Sequence, residues 1–355
     1  MELFNVGSIV RRDAFDAEAG RLTSPHGVDM VNVTQMWQAQ SGVPPMSDIT
    51  LAQPDSPAIL RALSEELGNF QDIAKYLIPQ AGETPRLQGI DVWGRTLPLN
   101  GSVGGDHIVY VDFKQRFDLD ARIARAIERN QPAIVDNLKR CQHAAGIAVV
   151  DVAGHRMTDA LLAAMFHQAF LVGATYELDL FGMVTQRVFE HLNTRFYQSS
   201  GAHKFISLLY GEISENARFR FISLGHPFPT VFSRQHDRIM DVTPDLCVSF
   251  PPLGMQPSLH VIDRNRLGDS LLGFKDRYET SEWWLMGSGD ILLLHTDGLT
   301  EHTRGEEHYF PERLEHALRA AKHGTAREIV DAIQADLLDF ATLADDVSLV
   351  VIKLA

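Results

Sequence analysis

Between Phe205 and Val242 three runs with strand-like alternation, FISLLYGEI, ARFRFISLG and PTVFSRQHDRIMDV, follow one another with only short polar or Gly/Pro turns between them. A turn that short returns a strand antiparallel to its predecessor, whereas a parallel neighbour needs a crossover of about a dozen residues or more. The reading is consecutive antiparallel strands, and therefore an α+β chain rather than an alternating α/β one. Two apolar stretches, near Thr158–Val172 and Leu180–Gln198, read as helices covering one sheet, and GDILLLHTDG and DVSLVVIK as late buried strands. The segment Asp118–Ala145 reads as one or two amphipathic helices between two strands. Pro257–Trp284 is polar and poorly periodic, which suggests a surface excursion, with the Trp283 and Trp284 pair as core candidates.

Upstream the pattern is weaker. Residues 1–56 carry Gly, Pro and Ser clusters and read as loops and short elements of unassigned role. From Pro57, apolar residues at Leu60, Leu63, Leu67, Phe70, Ala74 and Leu77 alternate steps of three and four, and Pro79 ends the run. That stripe suits either the seam of a short coiled coil, hence a possible homodimer through residues 57–79, or one amphipathic helix packed on its own domain. The remainder, residues 80–355, is read as one domain.

Composition narrows the partners. The chain has 355 residues, 46 Asp plus Glu against 32 Lys plus Arg, and a net charge of -14, with no basic patch to attract nucleic acid. Cys141 and Cys247 are its two cysteines, too far apart in sequence for a metal-ligand spacing, and they read as reduced, buried thiols. The N-terminus lacks a basic segment followed by an apolar run, and the longest uncharged stretch, Ala160–Tyr176, carries His167 and Gln168 near its middle. The expectation is a cytoplasmic protein with no membrane span.

Four aspartates stand where an apolar strand meets a turn: Asp106 in GGDHIVYVDF, Asp151 in IAVVDVAGH, Asp297 in ILLLHTDGLTE and Asp345 in ADDVSLVVI. Any one of them alone reads as a turn or helix-capping residue. Four together, at the ends of buried strands and without neighbouring Lys or Arg, favour a hard divalent cation, because an unpaired carboxylate is costly to bury.

These segments, with SLGHPFP, PPLG and DDVSLVVI, occur in the order found in SpoIIE/RsbU-like serine/threonine phosphatases, a group of the metal-dependent superfamily that includes protein phosphatase 2C. The chain resembles that family from about Ile73 to its C-terminus. The resemblance implies a four-layer α-β-β-α sandwich with two central antiparallel sheets and a site for two manganese or magnesium ions at one edge. It implies that Asp151 bridges both ions, that the Val152 carbonyl binds one and Asp297 and Asp345 the other, and that Asp106 acts on the Val152 side, directly or through water. Asp346 would orient the site. The implied chemistry is hydrolysis of a phosphoserine or phosphothreonine by a metal-activated water, with a phosphorylated regulatory protein, a STAS-type anti-sigma-factor antagonist, as substrate.

The chain departs from the family at Arg156, which replaces a small residue beside the metal loop and either binds phosphate or faces solvent. His155 and His226 lie in matched turns, where they either assist proton transfer or hold backbone carbonyls. Two rivals remain: a catalytically silent phosphatase-like binding module, and a diguanylate-cyclase-like enzyme suggested by GGDHI, although His107 stands where that signature needs a second carboxylate.

Overall fold

The computed structural model describes residues 56–75, 83–100, 103–154, 159–199, 204–242, 246–259, 270, 272–284 and 287–355. Residues 1–55, Leu77, Pro79, His155, Arg156 and the middle of the 257–284 stretch lie outside these. The chain divides into two compact units, Met1–Leu63 and Ser64–Ala355. Helix α1 (Ser56–Lys75) runs across that division, and Leu60, Leu63 and Leu67 are exposed along it.

The larger unit is built on two sheets. The first joins, in spatial order, β1 (Ile90–Leu97), β13 (Val347–Leu354), β10 (Ile291–His295), β6 (Thr230–Ser233) and β7 (Arg238–Met240), every pair antiparallel. The second joins β2 (His107–Asp112), β3 (Ala144–Val152), β4 (Ile206–Ser214) and β5 (Phe219–Leu224), also antiparallel. Its outer edge pairs with β8 (Ser249–Phe250), in parallel, and with β9 (Ser281–Trp283), antiparallel. A small hairpin, β11 (Thr303–Arg304) with β12 (Glu307–His308), stands apart.

Because side chains alternate across a strand, each central strand serves two cores. Ile108, Tyr110, Ile147, Val149, Leu209, Leu292, Leu294, Val350 and Ile352 meet between the sheets. Val109, Val111, Ala148 and Val150 point the other way, into the outer face of the second sheet. Covering that face are α2 (Phe113–Arg116), α3 (Leu119–Glu128), α4 (Pro132–Cys141), α5 (Asp159–Phe181) and α6 (Gln186–Ser199). Leu349 and Val351 face α8 (Glu312–Ala321) and α9 (Ala326–Phe340) on the far side; α7 (Asp297–Thr300) is a single turn. The result is the four-layer α-β-β-α sandwich. Full burial of each such Val, Leu or Ile contributes about 1.5–3 kcal/mol relative to exposure, which is why these strands are apolar on both faces.

Four readings change. The first long helix runs to Phe181 instead of stopping near Val172, and its successor begins at Gln186 rather than Leu180. Gly173 does not break α5, because it is where α6 approaches: a Cβ there would collide with Val188. The break comes at Gly182, whose φ of 70° suits a residue without Cβ and whose N–H donates to the Leu178 carbonyl at 3.0 Å. The third of the consecutive strands pairs within the other sheet, since the chain crosses over at Gly225, held at φ 64° against Pro252. Trp283 is buried and donates to the Leu246 carbonyl, but Trp284 is exposed, as alternation along an edge strand requires. Finally, the 257–284 stretch is pinned rather than wholly superficial: Lys275 is buried, pairs with Glu190 at 2.9 Å and lies over the Tyr278 ring. Cys141 and Cys247 are both free, the first buried and the second only partly so. No described helix is long and apolar enough to cross a membrane.

Candidate metal centre

The strand registers bring the four predicted aspartates to one edge. In the second sheet His107 pairs with Val150, so Asp106, just before β2, and Asp151, near the end of β3, leave the sheet at the same end. In the first sheet His295 pairs with Leu349, so Asp297, just past β10, and Asp345, just before β13, do likewise.

Hydrogen bonds join the two sheets at this edge. Thr296 Oγ1 donates to Asp106 Oδ2 at 2.7 Å. Asp346 accepts from the Leu99 amide at 2.6 Å with one oxygen and from the Gly105 amide at 2.8 Å with the other. Both its oxygens are thereby engaged, which makes Asp346 a clamp between the sheets. Asp345 Oδ1 accepts from the Asp346 amide at 2.7 Å. Gly104 and Gly105 are required by these close approaches: a Cβ on Gly104 would overlap the Asp346 carboxylate, and one on Gly105 would sit 2.8 Å from the Gly154 carbonyl oxygen and 3.0 Å from that of Val152.

The carboxylates raise one another's proton affinity. Burial pushes Asp106 well above the usual carboxylate range, Asp151, Asp346 and Asp297 add to it, and the Thr296 hydroxyl opposes it. Asp151 is pushed up to about 7, first by burial and then by Asp297, with Asp345 and Asp346 contributing and the Ser207 hydrogen bond opposing. Asp297 is raised by burial, then by Glu301 and Asp345. None of these leading influences is a cation.

Among the described residues no group of three or more His, Cys, Asp or Glu side chains is gathered tightly enough to enclose one ion. What Asp106, Asp151, Asp297 and Asp345 share is a common electrostatic neighbourhood. The donor set nevertheless fits a hard divalent cation: several carboxylates and a backbone carbonyl, all oxygen, at an edge that runs from buried Asp106 through half-buried Asp151 and Asp297 to exposed Asp345.

Three supporting residues were not singled out from the sequence. Ser207, Asp151's cross-strand partner, donates to Asp151 Oδ2 at 3.2 Å and contacts His226 Nδ1 at 3.0 Å. Thr296 reaches Asp106 as described, and Lys204 grips the turn after β3. The available signal was a polar residue inside or just past an otherwise apolar strand, Ser207 in FISLL and Thr296 in LLLHTDG. His226 itself is buried and its pKa is lowered to about 3, by burial first and by His295 second. It is held neutral behind Ser207, a place for a structural hydrogen bond rather than for a solvent-facing acid.

Residues 142–355 match the family described as Stage II sporulation protein E (SpoIIE). No curated protein matches the chain. Among solved structures it is similar to the SiaA-PP2C domain of Pseudomonas aeruginosa, at 14% identity and a TM-score of 0.57 over 85% of this chain and 100% of that one. It is also similar to the RsbU and RsbW domains of a Mycobacterium tuberculosis protein, at 17% identity and a TM-score of 0.52 over 78% of this chain. A third is the PP2C phosphatase domain with a fragment of the regulatory domain of SpoIIE from Bacillus subtilis, at 14% identity and a TM-score of 0.50 over 75% of this chain. The chain spans 64% and 63% of the length of these last two. At such identities the likeness establishes the fold, and a cyclase reading of GGDHI falls with it. The family match covers well over half of the sequence, including the strand ends that carry Asp151, Asp297 and Asp345, and the chain therefore belongs to the SpoIIE family, with a PP2C-type phosphatase fold.

Proposed function

We propose that this protein is a metal-dependent serine/threonine phosphoprotein phosphatase. The observation that carries the reading is the gathering of Asp106, Asp151 and Asp297, buried or half-buried, at one edge of the sandwich by the strand registers and by the Thr296–Asp106 and Gly105–Asp346 hydrogen bonds, where Asp151 and Asp297 raise the proton affinity of Asp106 and Asp297 raises that of Asp151. Buried carboxylates of that kind are retained where a ligand compensates them. Asp106, Asp151, Asp297, Asp345 and the Val152 carbonyl would hold two manganese or magnesium ions. When bound, such ions neutralise phosphoryl oxygens and acidify a water, so that no protein nucleophile is needed.

The chain's own residues supply position. Ser207, fixed by His226, orients one Asp151 oxygen, and Thr296 orients one Asp106 oxygen. Asp346 ties the Gly105 turn, and with it the residue before Asp106, to the opposite sheet. Chemistry of this kind recognises any phosphate, so selection among phosphoproteins falls to the surrounding surface.

The substrate favoured by family membership is a phosphoserine or phosphothreonine on a STAS-type anti-sigma-factor antagonist. The overall charge of -14 argues against a polyanionic nucleic acid. The 257–284 edge, where Leu272 and Trp284 are exposed, is the docking candidate. The exposed leucines of α1 support a homodimer through that helix. The test compares kcat/KM on phosphorylated STAS proteins, unrelated phosphoproteins, phosphotyrosine and nucleotides, with manganese present. Preference for phospho-STAS substrates is the expected result; equal efficiency on all, or turnover of phosphotyrosine or nucleotides alone, refutes the substrate assignment. A silent binding module would show no turnover of any of them.

A further inference from the structure

The turn after β3 is gripped by a cation that the metal chemistry does not use. Lys204 Nζ donates to the Ala153 carbonyl at 2.7 Å and to Asp159 Oδ1 at 2.5 Å. Asp159 stands in the first turn of α5 and is almost wholly buried, so its charge has little access to water. The Ala153 amide donates to the Phe205 carbonyl at 3.1 Å, which leaves both polar backbone groups of Ala153 tied to residues 204 and 205. The β3–β4 ladder thus continues one residue beyond Val152, where its last strand pair, Val152 with Ile206, would otherwise leave the chain loose.

Space around the turn is equally restricted. Gly154 has a φ of 113°, and a Cβ there would lie 2.6 Å from Asp159 Oδ2 and 2.8 Å from Lys204 Nζ. The Gly105 loop leaves as little room, since a Cβ on Gly105 would meet the Val152 and Gly154 carbonyl oxygens. The Val152 carbonyl therefore lies in a turn clamped between the Gly105 loop and the Lys204–Asp159 pair.

We propose that Lys204 and Asp159 act together as positioning residues that hold the Val152–Gly154 turn in the conformation that lets the Val152 carbonyl serve as a metal ligand. The pair fastens this turn to the N-terminal end of α5, so the carbonyl's direction depends on an ion pair anchored at the next residue, Ala153, and not only on the strand. This rests on the metal reading of the site, and it concerns residues that touch neither ion nor substrate. Supporting groups of this type govern metal affinity because they fix ligand direction before the ion arrives.

The experiment is calorimetric titration of manganese into metal-free wild-type, Lys204→Met, Lys204→Arg and Asp159→Asn proteins, each checked for cooperative unfolding, together with substrate KM at saturating manganese. Lys204→Met and Asp159→Asn are expected to weaken manganese binding about tenfold or more, with Lys204→Arg closer to wild type and substrate KM unchanged. Wild-type manganese affinity in folded Lys204→Met and Asp159→Asn proteins overturns the inference. So does a raised substrate KM with intact metal affinity, which would make Lys204 a phosphate contact instead. Failure of wild type itself to bind manganese would instead refute the metal reading, so the two failures are separable.

Discussion

Replacing Asp151 by Asn should stabilise the metal-free protein, and by an amount that depends on pH. Asp151 is held at about 7 in the folded chain against an ordinary value of 3.8. The folded state thus retains a proton that the unfolded state releases, and metal-free stability falls as pH rises from about 4 to about 7. At pH 8 the ionised, half-buried Asp151 costs on the order of 4 kcal/mol; at pH 5, where the folded chain keeps the proton, the cost is roughly 2 kcal/mol, and below about pH 4 it disappears. Asn keeps the shape, and its side-chain oxygen still accepts from Ser207. The buried histidines His107, His226 and His295, lowered to about 3, 3 and 4, run the other way, losing stability as pH falls below their ordinary 6.5. Their contribution is common to both proteins and cancels in the difference. The assay is urea unfolding of chelator-treated wild-type and Asp151→Asn proteins at pH 5 and pH 8. Asn should gain several kcal/mol at pH 8 and clearly less at pH 5. In excess manganese the gap at pH 8 should narrow, because a ligand at about 100 times its dissociation constant stabilises wild type by about 2.7 kcal/mol. An Asn protein no more stable than wild type at pH 8, or a gain equal at both pH values, would refute the reasoning.

Other perturbations test the scaffold around the site. Phe170→Ala empties the buried layer where its ring meets Tyr210 at 5.2 Å, Phe166 at 5.6 Å and Phe189 at 5.9 Å, and should cost about 3–5 kcal/mol in chemical denaturation. Gly105→Ala forces a Cβ against the Val152 and Gly154 carbonyl oxygens and should reduce manganese affinity measured by calorimetry, while the same change at Gly68, where nothing lies within 4 Å, should leave it alone. Leu63→Glu in α1 should weaken self-association in sedimentation equilibrium if that exposed stripe is a dimer seam; a wild-type protein that stays monomeric at every concentration excludes the seam.

Antiparallel character was legible because it follows from short turns between strand-like runs, whereas the layer count and the gathering of the four aspartates at one edge were expectations that came with the family resemblance. What escaped was decided at single residues. Gly173 and Gly182 look alike in sequence, yet one marks close helix packing and the other ends the helix, and only the approach of Val188 distinguishes them. The exchange of strands between sheets at Gly225 is invisible to periodicity, because a strand alternates identically in either sheet. Ser207, Thr296 and Lys204 were missed because their roles depend on which distant aspartate or carbonyl each one faces. Asp346 differs from Asp345 only in where its oxygens point, at the Leu99 and Gly105 amides, and no spacing rule separates neighbours.

Phosphate release shows whether the edge aspartates make a metal-dependent phosphatase. Wild-type and Asp297→Asn proteins, both verified as folded, are incubated with a phosphoserine or phosphothreonine substrate in chelator, in magnesium and in saturating manganese. Release should be absent in chelator, restored by either ion or both in wild type, and lost in Asp297→Asn at the same manganese concentration. Undiminished release in chelator, or wild-type turnover by Asp297→Asn, would contradict that reading.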